Sequence, residues 1–233
     1  MKRFLAIVLS AALLLTCLAV VPVAAVSVEV WDGESVSEPK DTNSDGVKEI
    51  GTAAEFAWLG ANGGNGSYIL TADIYLNDMK VVLSGDTAAI TTLNGAAVTD
   101  TSSLNKWSYL KSFTGTLDGN GHTVNGLFDD TVKAVGSGSR HAMFTSGNGA
   151  TVKNLRVSNV WFEGATYQGT LFAYNSTGTC TVDNCYFDGI NLVANPDYVQ
   201  NSTYPTSGAV VGYVNKANLI LSDIAVSDVS KLI

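Results

Sequence analysis

Basic residues, histidines, cysteines and prolines are all scarce in this chain. Among its 233 residues are 13 Lys or Arg, two His, three Cys and four Pro. No Lys or Arg cluster occurs, so the surface has no means of neutralising a run of phosphates. That argues against nucleic acid and against anionic membrane surfaces as partners. With His122 and His141 as the only histidines, and no serine in a G-x-S-x-G context, a hydrolase triad is unsupported. Cys17 lies in the apolar first segment, which leaves Cys180 and Cys185. One pair is no disulfide framework. Neither has a neighbouring histidine that would point to a metal or a nucleophile. Both fall in columns otherwise filled by apolar residues, so they read as small buried hydrophobes. A disulfide between them is the alternative in an exported protein.

Residues 1–25 read as a signal peptide rather than as structure. Lys2 and Arg3 give a basic start, Phe4 to Val21 is almost wholly apolar, and Val23-Ala24-Ala25 offers small residues for cleavage. Thr16 stands before Cys17 where lipidation wants Gly, Ala or Ser, so a lipid anchor is not expected. Without Lys2 and Arg3, 11 basic residues face 21 acidic ones. This acidic balance suits a secreted or cell-surface protein, and no membrane span is expected once the signal is removed.

What the chain does have is a repeat. The pairs Thr123-Val124, Thr151-Val152, Thr181-Val182 and Ile220-Leu221 recur after 28, 30 and 39 residues. Three positions after each pair's second member stand Leu127, Leu155, Cys185 and Ile224. A period near 30 residues signals stacked repeats, and the apolar residues alternate at strand spacing. The expected fold is all-β, a right-handed parallel β-helix. Val124, Val152, Val182 and Leu221 are expected in one buried column, with Lys153-Asn154, Asp183-Asn184 and Ser222-Asp223 at corners. Stacked Asn or Asp side chains at such corners hydrogen-bond along the stack.

Upstream, residues 26–50 form a leader containing the strand-like SVEVWDG, and 51–233 form the β-helix domain. Thr52 and Glu55 make a capping box before Ala53, Phe56, Ala57 and Leu59, with Gly60 ending a short helix that covers the first strand edge. Tyr68, Leu70, Ala72 and Ile74 are expected inward. Residues 81–83 and 88–93 are expected as strands of a first, longer coil, followed by a polar loop up to Phe113. No cap is evident after LILSDIAVSDV. The last coil is therefore expected to self-associate or to continue into further coils.

Three segments carry a family resemblance: TAAEFAWL followed by YILTADIYL, then FTGTLDGNGHTVNGLF, then SGAVVGYV followed by LILSDIAVSDV. Together they resemble the bacterial surface proteins that carry GLUG repeats, over roughly residues 50–233. The resemblance implies a β-helix fold and an adhesin-like or stalk role. The chain departs from the pattern at Phe172-Ala173, where the repeat prefers Val-Gly.

Chemistry has to be weighed against this. Glycoside hydrolysis needs two carboxyl groups facing each other across a groove. The candidates are Asp118, Asp129, Asp130, Asp183 and Asp188. Asp118 belongs to a Gly-Asn turn, Asp129-Asp130 open a loop, and Asp183 and Asp188 lie on a corner and an outer face. Lys153 and Arg156 are the basic residues of the regular coils. His122 reads as a turn residue and His141 as solvated in the Gly/Ser loop. DTNSDG at 41–46 places Asp41, Asn43, Asp45 and Gly46 as in a calcium loop, but Thr52 occupies the position that needs a bidentate acid. No catalytic, cofactor or metal residue is assigned. Tyr167, Tyr174, Tyr186, Tyr198, Tyr204 and Tyr213 are candidate contacts for a sugar or partner protein, and Tyr186 should point outward. The expected function is a non-enzymatic surface module for adhesion or structural display, with a glycan or surface protein as partner. The alternatives are a carbohydrate-active β-helix enzyme, either lyase or hydrolase, and the N-terminal fragment of a larger multidomain surface protein.

Overall fold

The computed structural model describes residues 28–85, 87–98, 100–109, 111–132, 138–193 and 205–229. The signal segment, Tyr198, Tyr204 and the first half of the Gly/Ser run at 136–139 lie outside them. The described chain is mostly β-strand with one α-helix. β1 (Val47–Ile50) leads through α1 (Ala53–Asn62) to β2 (Ser67–Leu70) and β3 (Ile74–Tyr75). An antiparallel arm follows, made of β4 (Met79–Ser84), β5 (Thr87–Leu93) and β6 (Ala96–Ala97). Then come β7 (Thr116–Asp118), β8 (Thr123–Asn125), β9 (Phe128–Asp129) and β10 (Arg140–His141). The next pass holds β11 (Thr151–Lys153), β12 (Arg156–Glu163), β13 (Tyr167–Gly169) and β14 (Phe172–Asn175). The last elements are β15 (Thr179–Val193), β16 (Thr206–Gly208), β17 (Val211–Val214) and β18 (Asn218–Val229).

Apart from the arm, these strands pair in parallel, and each pass of the chain lays a strand on the same faces. On the first face β1, β2, β7, β11, β15 and β18 neighbour one another in that order. On the second face the order is β3, β8, β12, β15 and β18. β15 and β18 are long because each turns from the first face onto the second. Smaller parallel sheets, β10–β13–β16 and β14–β17, close the remaining sides.

The turn between faces has a local cause. Val152 and Leu155 both point into the core although they stand three positions apart. Strict alternation would put them on opposite faces. Asn154 between them has φ of 52°, and Asn184 and Asp223 repeat this at 48° and 52°. One residue in the left-handed region swings the strand through a corner, and Asn and Asp tolerate it better than other side chains. The same device recurs a few residues later at Gly126, Asn159, Gly189 and Asp228, between Val124 and Leu127, Val157 and Val160, Phe187 and Ile190, and Val226 and Val229.

That second corner corrects the expected column. Val152 does pair with Val182, and Val182 with Leu221. The residue beside Val152 on the other side is Leu117, not Val124. Val124 instead pairs with Ile74 and Val157 on the second face. Both corners follow the rule apolar–x–Asn/Asp/Gly–apolar, so a comparison by local pattern slides from one corner to the other. The pass at 116–128 also spends three residues, Gly119 to Gly121, where the next spends Asn154 alone.

The main core runs through the stacked passes, and a second, smaller cluster of Met79, Val81, Leu104 and Phe128 lies at the arm. Phe113 stacks on Phe144 with centroids 4.9 Å apart, and Phe144 on Phe172 at 6.0 Å. Trp31 from the leader and Trp107 from the segment expected to be a polar loop are both buried, edge to face at 5.9 Å. The helix keeps its predicted start: Thr52 Oγ1 accepts from the Glu55 amide, and Glu55 accepts from the Thr52 amide at 3.1 Å. It does not end at Gly60 but runs to Asn62, with Gly63 as its cap. Gly60 is needed for packing, because a Cβ there would sit 2.4 Å from the Trp107 ring. Tyr68, Leu70 and Ile74 are buried as expected, whereas Ala72 is half-buried. Residues 79–97 are a side arm rather than strands of a coil. The Asn94-Gly95 turn has both φ values positive, the geometry that favours a hairpin over a parallel crossover.

Candidate functional site: two grooves beside the corners

The second corner carries a hydrogen-bonded amide ladder. Asn159 Nδ2 donates to Asn125 Oδ1 at 2.6 Å, and Asn125 Nδ2 donates to the Asn77 carbonyl at 2.6 Å. Asn159 Oδ1 then accepts from the Val81 amide at 2.9 Å, which ties the β4–β5 arm to the ladder. Between arm and ladder lies a cleft of about 650 Å³, with Asp78 and Lys80 on one wall and Asn125, Asn159, Asp188 and Asp228 on the other. Asp188 is the one acid of the sequence analysis found there. Its Oδ1 accepts from Ser227 Oγ at 2.6 Å.

A second groove of about 370 Å³ runs along the first corner. Asn184 Nδ2 donates to Asn154 Oδ1 at 2.8 Å, and Asn154 Nδ2 donates to Asp118 Oδ1 at 3.0 Å. The corner amides therefore stack as the sequence suggested. Tyr186 lines this groove and points outward, 37% exposed, with the Arg156 guanidinium over its ring at 5.9 Å. The Tyr186 hydroxyl lies 2.7 Å from Ser227 Oγ. Ser227 spends its proton on Asp188, so Tyr186 is the donor.

The remaining acids are occupied by structural partners. Burial pushes the Asp118 carboxyl up, but the Asn154 amide, the Asn120 backbone N–H and the Lys153 ammonium outweigh it and hold it below the usual carboxylate range. Asp183 accepts from Ser222 Oγ across the strand pair, and Asp130 pairs with Lys106 at 2.6 Å. His122 sits 3.3 Å from Asp73 Oδ1, which also accepts from the Thr123 amide. His141 corrects the expectation of a solvated ring. It is 1% exposed, with Nδ1 3.0 Å from Asp129 Oδ2 and Nε2 3.2 Å from the Thr131 carbonyl. Asp129 likewise does not simply open a loop; it is a buried partner of that imidazole. Sequence spacing gave no sign of this pair, because Asp129 in β9 and His141 in β10 lie 12 positions apart and meet only through the fold.

The DTNSDG turn spends its oxygens on its own backbone. Asp41 accepts from the Asp45 and Gly46 amides, Asn43 from Asp45, and Asp45 from Val47. Among the described residues no group of three or more His, Cys, Asp or Glu side chains is arranged to hold a metal. Cys180 and Cys185 are buried and free, which removes the disulfide alternative. Burial pushes both thiols up to about 11. Three tyrosines considered singly in the sequence come together on the outside. Tyr174 stacks on Tyr213 at 5.4 Å, Tyr167 meets both, and Arg140 lies over Tyr174 at 5.2 Å. Among the described residues no helix is long and apolar enough to cross a membrane.

The chain matches no family model, no curated protein and no solved structure.

Proposed function

We propose that this chain is an exported, non-enzymatic right-handed parallel β-helix module for surface adhesion or structural display, with α1 closing its N-terminal end. The observation that carries the reading is the register shared by β7, β11, β15 and β18, with an Asn, Asp or Gly corner repeated at each pass. Such a chain builds a long rigid surface and few deep cavities. Right-handedness follows from the strong preference of parallel crossover connections. The GLUG-like segments and the signal-like first 25 residues point the same way, to a secreted or cell-surface protein. The acids weighed for catalysis are mostly bonded to Lys, Asn, Ser or His neighbours, which suits a structural role for them. The reading is tested by expressing the full chain in a bacterial host, fractionating it, and measuring attachment of the recovered protein to immobilised glycans and surface proteins. Retention in the cytoplasm, or attachment no better than an unrelated β-protein, would sink it.

One observation favours the carbohydrate-active alternative: the cleft under the arm gathers Asp78, Asp188, Asp228 and Lys80. Paired carboxyl groups across a cleft are what glycoside cleavage requires. Incubation with pectin, alginate and glycosaminoglycans decides. Turnover that disappears in Asp188→Asn would replace the adhesion reading with an enzymatic one.

A further inference from the structure

We infer that the first-corner groove is a binding site for a neutral pyranose glycan, held by Tyr186, Arg156, Asn184 and Asp223. This rests on the adhesion reading and gives it a ligand class and a place. The groove brings together the three kinds of group that a sugar ring uses. Tyr186 offers an outward aromatic surface on a rigid strand, between the buried Cys185 and Phe187. Its hydroxyl is fixed by Ser227, which in turn is fixed by Asp188, so the ring is held in place before any ligand arrives. An aromatic face takes the C–H face of a pyranose, and preorganisation lowers the entropic cost of binding.

The polar groups have capacity to spare. A carboxamide has two N–H donors and two acceptor lone pairs. The ladder uses one donor of Asn184 and leaves its exposed Oδ1 without a partner among the described residues. Arg156 is exposed, and no described carboxylate lies within ion-pair distance of it. Its fork of donors suits two adjacent hydroxyls. Asp223 lines the same groove and supplies acceptors for hydroxyl protons. Donor and acceptor together read a diol. The Asp223 carboxylate offsets the Arg156 guanidinium in the groove, and the acidic balance of the chain disfavours a uronate, so a neutral sugar fits best. The site spans successive passes, from Asn120 through Asn154 and Asn184 to Asp223, each about 4.8 Å apart. That length fits an oligosaccharide laid along the stack.

The test uses the purified protein with neutral hexose and pentose oligosaccharides, and with oligogalacturonate for comparison. Binding is read by calorimetry and by NMR shifts of the side-chain amides. The expected result is a neutral oligosaccharide that shifts the Asn184 amide, with affinity falling about tenfold or more in Tyr186→Ala and in Arg156→Gln. A tenfold loss corresponds to about 1.4 kcal/mol. Asp78→Asn, in the cleft under the arm, should leave this binding unchanged. Neutral binding lost in Asp78→Asn but kept in Tyr186→Ala would overturn the assignment while leaving adhesion standing. Tighter binding of oligogalacturonate than of every neutral sugar would overturn the ligand class. If no oligosaccharide shifts Asn184 while the protein still attaches to a surface protein, the groove is not a glycan site.

Discussion

His141 holds Nδ1 3.0 Å from Asp129 Oδ2, and both side chains are almost wholly withdrawn from solvent. The Thr131 carbonyl on the other side of the ring can only accept, so Nε2 carries a proton. Burial pushes the Asp129 carboxyl up, but the His141 imidazole and the Thr131 hydroxyl and amide outweigh it and hold the carboxyl below its ordinary value.

The sign of the pH effect follows. A depressed carboxyl adds stability that is fully present above the unfolded value, near 3.9. It is lost as pH falls through the lower folded value. Melting temperature should therefore drop below about pH 4, and His141→Ala should cost about 3–5 kcal/mol at neutral pH by leaving a buried carboxylate unpaired. Thermal melts from pH 7 to 2 check this. An unchanged acid limb in the variant would show that the pair contributes nothing to it.

Val152 is sealed between Leu117 and Val182, whereas Leu221, its counterpart in the last pass, is 47% exposed. Val152→Asp should cost more than about 4 kcal/mol or prevent folding, since it buries an unpaired charge. Leu221→Asp should cost much less. Chemical denaturation of the two variants tests the inward direction of the column. Equal losses would contradict it.

The corner residues should tolerate Gly and resist Ala. Asn159 and Asn184 sit at φ 55° and 48°, where a Cβ costs about 1–2 kcal/mol for most residues. Asn184→Ala should destabilise by that amount, and Asn184→Gly by less. Asn159→Ala should lose more, because it also releases the Val81 amide and loosens the arm. Hydrogen exchange at Val81 reports that second effect, and protection equal to wild type would refute it.

Cys180 and Cys185 should be inert in the native protein. Their thiols are buried and pushed up to about 11, so little thiolate exists at pH 8. Iodoacetamide should label neither until denaturant is added. Rapid labelling without denaturant would show that these strand positions open readily.

β18 pairs with β15 alone among the described strands, and Leu221 and Val226 are 47% and 41% exposed. An apolar strand edge of this kind pairs with other chains. The polypeptide lacking the signal segment 1–25 should associate with a second copy through β18 as concentration rises, and Val226→Lys should suppress it. Light scattering distinguishes the cases. A monomer at high concentration, unchanged by the substitution, would exclude this surface.

Much of the framework was legible in the sequence because its causes are local. The capping box of Thr52 and Glu55, the alternation through Val152 to Val160, and the corner residues Asn154, Asn184 and Asp223 each follow from a few neighbouring side chains and the φ they accept. Strand spacing and a 30-residue return are enough to call for stacked parallel strands. What the sequence could not decide is which corner aligned with which, since Gly126 and Asn154 satisfy the same rule on different faces. Nor could it foresee that Asp129 and His141 would meet in the interior, that Tyr167, Tyr174 and Tyr213 would form one cluster, or that the β4–β5 arm would lean over Asn159. Those pairings join residues on different strands, from 7 positions apart for Tyr167 and Tyr174 to 78 for Val81 and Asn159. Their geometry is set by how many residues each pass spends between corners, a quantity fixed only when the passes pack against one another.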